Sequence, residues 1–349
     1  GLSYAAKIIN KDFAVGEIIK IQSSNGGADL ECSQGSSGNN ELGIKLENDI
    51  ILENDWTGIG TESVQYEGSF DGNGKTITYK DATKPLICYA GGANFNVSNL
   101  KVDGNLSSSD SDYLGGIVNV LNGGKVEKCI NTASVKNSKQ NSAAGGIVGY
   151  VNNALAKSTI SSCVNTAEIN GANKAGGILG LCNSGSDQGV QNVNISKCIN
   201  TGKITGASRY RSGIAGYLDI SASYQCITIE NCLNKGEIVY AVSGAPYGCG
   251  IVYVANNYVS VKNCINVGKV NIAAKYMISS ESYEDCYWDS FVNSGYAPTT
   301  GSDISTGKTT DEIVNGTSFN NTFTEWCFDS DKNSYPYPNI FGDGGVLYS

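Results

Sequence analysis

Five near-copies of one short text dominate the chain: "EKCINTASV", "SSCVNTAEI", "SKCINTGKI", "ENCLNKGEI" and "KNCINVGKV". They place Cys129, Cys163, Cys198, Cys232 and Cys264 at spacings of 34, 35, 34 and 32. A second anchor precedes each copy, "GGIVNV", "GGIVGY", "GGILGL", "SGIAGY" and "CGIVYV", with its second Gly at 116, 146, 177, 213 and 250. The distance from this Gly to the next Cys varies between 13 and 21, so invariant strands alternate with elastic loops. A period of this size is the signature of a solenoid, in which each repeat buries its apolar face only against its neighbours. Three residues before each Cys stand Val126, Ile160, Ile195, Ile229 and Val261, and six after it Val135, Ile169, Ile204, Ile238 and Val270, which are core columns. Next to the latter run Ser134, Glu168, Lys203, Glu237 and Lys269. With strands ~4.8 Å apart, that series predicts opposite charges on neighbouring coils.

The helix-poor composition agrees. Gly 44 beside Pro 5, with abundant Asn, Ser, Val and Ile, suits many short strands joined by tight turns. The fold class expected is all-β, a right-handed parallel β-helix with N- and C-terminal caps. "KPLICYA" (84–90) and "VSNLKVDG" (97–104) continue the two anchors upstream, with Leu100 in the cysteine's place, and "GIKLENDIIL" and "GKTITY" supply the first coils. Downstream, Cys286 follows Cys264 by only 22 residues, and the repeat stops. The chain divides into an N-terminal cap and polar loop (1–41), the β-helix (42–290) and a C-terminal cap (291–349). Exposed coil ends need covering. Residues 2–21 read as a short helix and strand, and 23–40 as a polar loop. Thr309 to Glu312 offers a capping box, and "EWCF" with "SYPYPNIF" offers aromatics to seal the last coil.

Together the "AGGIVGYV" strand, the C-x-N-x-G/A-x-I/V strand, "WTGIGT" (56–61) and "GSFDGNGKTI" (68–77) resemble the GLUG-motif repeat proteins of bacteria over residues 42–290. The departures are Ser212 and Cys249 at the first Gly of the pair, and Asn119 and Tyr253 at its last Gly. The resemblance implies a right-handed parallel β-helix on secreted or surface-attached, adhesin-like proteins, sometimes found beside proteases. It implies no catalytic residues.

The repeated cysteines invite a chemical reading, but the chain has no histidine and no C-x2-C knuckle, which argues against zinc. Side chains ~4.8 Å apart on parallel vectors fit disulfide geometry poorly, and five equivalent thiols without a base do not make a nucleophile. They read as small apolar corner residues. Asn131, Asn165, Asn200, Asn234 and Asn266 read as a turn ladder that tolerates left-handed backbone.

Net charge is −9, and the two arginines, Arg209 and Arg211, flank Tyr210 in what reads as a lengthened loop, so a nucleic-acid surface is excluded. No run of about 18 apolar residues offers a membrane span. "DSDKNSYP" (329–336) has the D-x-D-x-N spacing of a calcium loop at Asp329, Asp331 and Asn333, without the later Gly and Glu; a polar turn is favoured, and no cofactor is expected. Eleven of the 20 tyrosines lie between residues 210 and 296, and exposed tyrosine is a common contact for sugars and proteins. Arg209, Tyr210, Arg211, Tyr247, Tyr253 and Tyr258 are the candidate ligand-binding residues. The expected function is that of a non-enzymatic recognition or adhesion module, monomeric in isolation, secreted or on a bacterial surface, that binds a glycan or an extracellular protein. The alternative is a carbohydrate-active β-helix enzyme, a lyase or a hydrolase.

Overall fold

The computed structural model describes residues 18–22, 29–34, 42–152, 156–183, 192–206, 209–220, 226–239, 247–255, 258–271, 274–276, 282–295, 306–316, 323–328, 331 and 334–340. A complete coil lays down five short strands, as in Ala143–Gly145, Val148–Asn152, Ser158–Ser161, Val164–Asn165 and Ile169–Gly171. Each pairs in parallel with its counterpart one coil on: Ala143 with Lys174, Val148 with Leu179, Ile160 with Ile195, Val164 with Ile199, Ile169 with Ile204. The stacked strands form long parallel sheets, and the chain is a parallel β-helix. The core columns read from the repeat pair in that same register from Val126 to Val261 and from Val135 to Val270. Upstream, Ile87 pairs with Val118, and Lys101 with Ile130, which puts Leu100 in the cysteine column. One continuous apolar core runs from Ile44 to Trp288, each fully buried Val or Ile contributing roughly 1.5–3 kcal/mol.

The two anchors of the repeat meet across the interior. A methyl placed on Gly177 would stand 2.3 Å from Asn200 Cγ and 2.2 Å from the Gly213 carbonyl oxygen. The coil is pinched there, so the glycine pair and the asparagine form one device. The asparagines are buried and chained: Nδ2 of Asn131, Asn165, Asn200 and Asn234 donates to Oδ1 of the next at 2.7–2.8 Å. Each also donates to the carbonyl two residues on, as Asn200 does to Gly202 at 3.0 Å. The expected left-handed turn lies elsewhere. Lys128, Ser162, Lys197, Asn231, Asn263 and Asp285, each preceding a column cysteine, have φ between 49° and 54°. The turn falls where the chain leaves one sheet for the next, while the asparagine is already in the following strand.

The column cysteines are buried free thiols. Cys198 Sγ donates to the Ser196 carbonyl at 3.3 Å and the Ile160 carbonyl of the preceding coil at 3.6 Å. Of the expected charge series, Lys203 and Glu237 pair at 3.7 Å. Glu168 accepts instead from Thr205 Oγ1 at 2.5 Å.

The caps differ from expectation. Ile18–Gln22 and Asp29–Gln34 form an antiparallel pair, and the latter strand pairs antiparallel with Leu42–Leu46, the first strand of the stack. Residues 29–34 are therefore strand rather than polar loop. "DLECSQ" alternates in a period of two, and the open edge of Leu42–Leu46 gives it a partner. The expected helix within 2–17 lies outside the described residues. At the other end Thr306–Lys308 adds one strand beyond Tyr287–Asp289. The helix Thr310–Asn315 then begins with Thr309 and Glu312 in a reciprocal capping box.

The aromatic segment beyond does not seal the end of the stack. Phe323, Trp326 and Ile340 lie along its flank, over Val164, Ile199, Leu233 and Ile265. Trp326 Nε1 donates to Asn231 Oδ1 at 3.1 Å, and Glu325 pairs with Lys197. The cause is the residue between each Cys and Asn. With Cys and Asn turned inward, the intervening Ile, Val or Leu must point outward, leaving an apolar column that needs cover. Asp289, buried, ties this strap down: its carboxylate accepts from Phe291 N, Val292 N, Thr310 Oγ1 and Tyr335 OH at 2.6–2.9 Å.

Candidate functional site

At each glycine pair the chain folds toward its own outer face. A methyl on Gly145 would lie 1.9 Å from the Val148 carbonyl oxygen and 2.7 Å from Gly180 N, so the turn is tight there, although Ser212 and Cys249 hold the equivalent place in later coils. Two outward columns therefore converge across this corner. One is Tyr113, Ala143, Lys174, Tyr210 and Tyr247. The other is Tyr89, Val120, Tyr150, Leu181 and Tyr217, with Tyr253 following. Ala215 pairs with Val252 but Leu218 with Val254, so the last coil is one residue shorter here. Tyr253, which replaces a glycine of the motif, thereby joins the outward column.

Four of the tyrosines pack as one surface. Tyr210 lies 4.5 Å from Tyr217, 4.8 Å from Tyr253 and 5.6 Å from Tyr247, ring centre to ring centre, and Tyr217 stacks on Tyr253 at 5.7 Å. Arg209 holds its guanidinium 5.4 Å from the Tyr210 ring centre and 6.0 Å from that of Tyr247, and Lys174 Nζ stands 5.6 Å from that of Tyr217. Such cation–π contacts contribute on the order of 0.5–1 kcal/mol each at exposed sites. Further up, Tyr113 stacks on Tyr150 at 4.2 Å, and Tyr150 OH donates to Asn183 Oδ1 at 2.5 Å. Partial burial raises the phenols of Tyr217 and Tyr253 to about 12, Asp219 adding to the first and Tyr210 to the second. Desolvation lowers the Lys174 ammonium, an effect that Asp219 opposes.

Of the residues expected from sequence, Arg209, Tyr210, Tyr247 and Tyr253 meet in this corner. Arg211 does not. Tyr210–Ser212 is a strand between Lys174–Gly176 and Tyr247–Cys249, not a loop, and alternation turns Arg211 inward. It is buried level with Ala175, which has only a methyl, and Gly248, which has no side chain, and its Nη2 donates to the Gly206 carbonyl. Tyr258 is exposed on a different sheet, where its carbonyl accepts from Ile227 N. Of the calcium candidates, Asp329 and Asn333 lie outside the described residues, and Asp331 is exposed. No group of three or more His, Cys, Asp or Glu among the described residues could hold a metal ion. Sequence reasoning missed Tyr89, Tyr113, Tyr150, Lys174 and Tyr217. Aligning the position four residues after the second Gly of each pair would have collected part of that column.

No protein-family model matches the chain. No curated protein matches it either. Among solved structures it is similar to a "putative immunoglobulin A1 protease" from Bacteroides ovatus, with 21% identity over 86% of each chain and a TM-score of 0.55. That likeness is one of fold. It also overturns the expectation of a non-enzymatic module, which rested on the repeat being only a scaffold. A protein of the same fold bears a protease name, so a stack of structural coils is no argument against catalysis.

Proposed function

We propose that this chain is an extracellular recognition module of the GLUG-like type that binds a glycan in the tyrosine corner. The observation that carries this reading is the convergence of Tyr210, Tyr217, Tyr247 and Tyr253 beside Arg209 on one outward corner. Aromatic rings offer rigid amphipathic area at little entropic cost, and sugar rings present apolar faces that lie flat on them. The acidic composition and the fold shared with a bacterial protein support the extracellular setting. The test is a glycan array probed with the parent chain and with Tyr247→Ala and Tyr217→Ala. A retained ligand that both variants lose supports the reading, and binding indifferent to both substitutions sinks it.

A second reading comes from the name of the similar structure, action on immunoglobulin A1. Incubating the chain with immunoglobulin A1 and looking for fragments tests it directly. Cleavage would replace the binding reading with a catalytic one.

A further inference from the structure

The tyrosines of the corner form two pads. Tyr113 and Tyr150, with Tyr89 nearby, make the first, and the cluster around Tyr210 makes the second. Counting strand pairings from Tyr113 through Ala143 and Lys174 to Tyr210 gives three coil steps, ~14 Å along the axis, and from Tyr150 through Leu181 to Tyr217 two steps, ~10 Å. Between the pads lies one coil, which carries Lys174 and Leu181 on the two columns, and the buried Leu181 is shorter than the tyrosines on either side, so the surface dips there. Lys174 stands at the far side of this dip against Tyr217, and Arg209 lies over the second pad. Asp219, which touches Tyr217, belongs to the same pad and can accept a hydroxyl.

A ligand no larger than one or two sugar rings cannot cover both pads. An extended chain parallel to the axis reaches both, and its middle passes the ammonium of Lys174. Resting on the glycan reading above, we infer that the ligand is an acidic polysaccharide lying along the solenoid axis across both tyrosine pads, with negative groups meeting Lys174 in the dip and Arg209 at the second pad. Two pads on one rigid body act as linked sites, so affinity depends on ligand length. Lys174 and Arg209 favour acidic over neutral chains, against Asp219 beside Tyr217 and Asp112 near Tyr113.

Calorimetric titration of the full chain with a galacturonate dimer, a galacturonate octamer, a neutral galactan octamer and an acidic peptide tests this, with thermal melts to show that each variant is folded. The expected result is an acidic octamer at least about tenfold tighter than the dimer. Tyr113→Ala should bring the affinity of the octamer toward that of the dimer. Lys174→Gln should narrow the gap between the acidic and neutral octamers. Equal affinity for dimer and octamer, or for acidic and neutral octamers, overturns this inference and leaves glycan recognition standing. Binding of an acidic peptide with no glycan bound overturns both.

Discussion

At the scale of single residues the fold depends on groups that cannot be exchanged for near neighbours in size or polarity. Asn200 accepts from Asn165 and donates to Asn234 and to the Gly202 carbonyl, with no exposure to solvent. Asn200→Ala strands a donor on one side and acceptors on the other. At about 1–3 kcal/mol for each unsatisfied buried group, the loss should be at least ~3 kcal/mol, read as a lower denaturation midpoint. Asn200→Asp should cost no less, because a carboxylate cannot donate to Asn234 and places an unpaired charge in the core. Five of the buried thiols give a pH dependence of one sign. Burial raises those of Cys129, Cys163, Cys198 and Cys264, and takes Cys182 to about 12, against an ordinary value near ~8.5. The fold thus holds these acids neutral. Their contribution is complete below the ordinary value and is lost as the pH rises toward the folded values. Melting temperature should fall between about pH 8.5 and pH 11, and a thiol reagent at pH 8 should label these cysteines only after denaturation.

At the scale of elements, the strap over the flank shows where a repeat can be read and where it cannot. Trp326 is buried against Asn231 and the Leu233 column. Trp326→Ala should remove ~3 kcal/mol of local packing, releasing the strap while the coils stay folded. Limited proteolysis should then cut between residues 323 and 340 at protease levels that spare the parent chain, and an unchanged digest would sink the strap assignment. Stacked columns were legible because every coil repeats the same demand: Val126, Ile160 and Ile195 each fill the same place. The Tyr210 corner was legible in part, as a cluster along the chain. What escaped were features whose meaning depends on a non-repeating partner. The outward apolar residues Val164, Ile199 and Leu233 stood in plain view between Cys and Asn, but only the distant Trp326 and Phe323 give them a function. Arg211 looked like a loop cation because its two-residue separation from Arg209 was read without a strand. Once Tyr210–Ser212 is paired on both sides, alternation decides its direction.

At the scale of the whole molecule, stacking of like upon like makes the coil a unit that can be removed. Cys163 and Cys198 occupy equivalent places, followed by Val164 and Ile199 in equivalent places. Deleting residues 164–198 joins Cys163 to Ile199 and leaves every column in step. Asn165 leaves the ladder, and Asn131 meets Asn200 instead. The core columns and the Trp326 contact with Asn231 persist, because within the stack each coil packs on its neighbours, while the flank column loses Val164 and the strap loses the pair between Glu325 and Lys197. The shortened chain should stay folded, with an unchanged β-type circular dichroism spectrum and a single elution peak. Deleting 164–197 instead leaves one residue too many. Cys198 then falls in the outward place of Val164 and Ile199 faces the ladder in place of Asn165, and a shift of one residue reverses the faces of a strand. That chain should melt well below the in-register deletion or fail to elute as a single species. Equal stability of the two deletions would falsify the idea that column register, rather than composition, holds the stack. The in-register deletion also removes Lys174 and Leu181, bringing Tyr150 next to Tyr217. The two pads close up by one coil step, ~4.8 Å, so the gain in affinity with ligand length should set in at a shorter oligomer than in the parent chain.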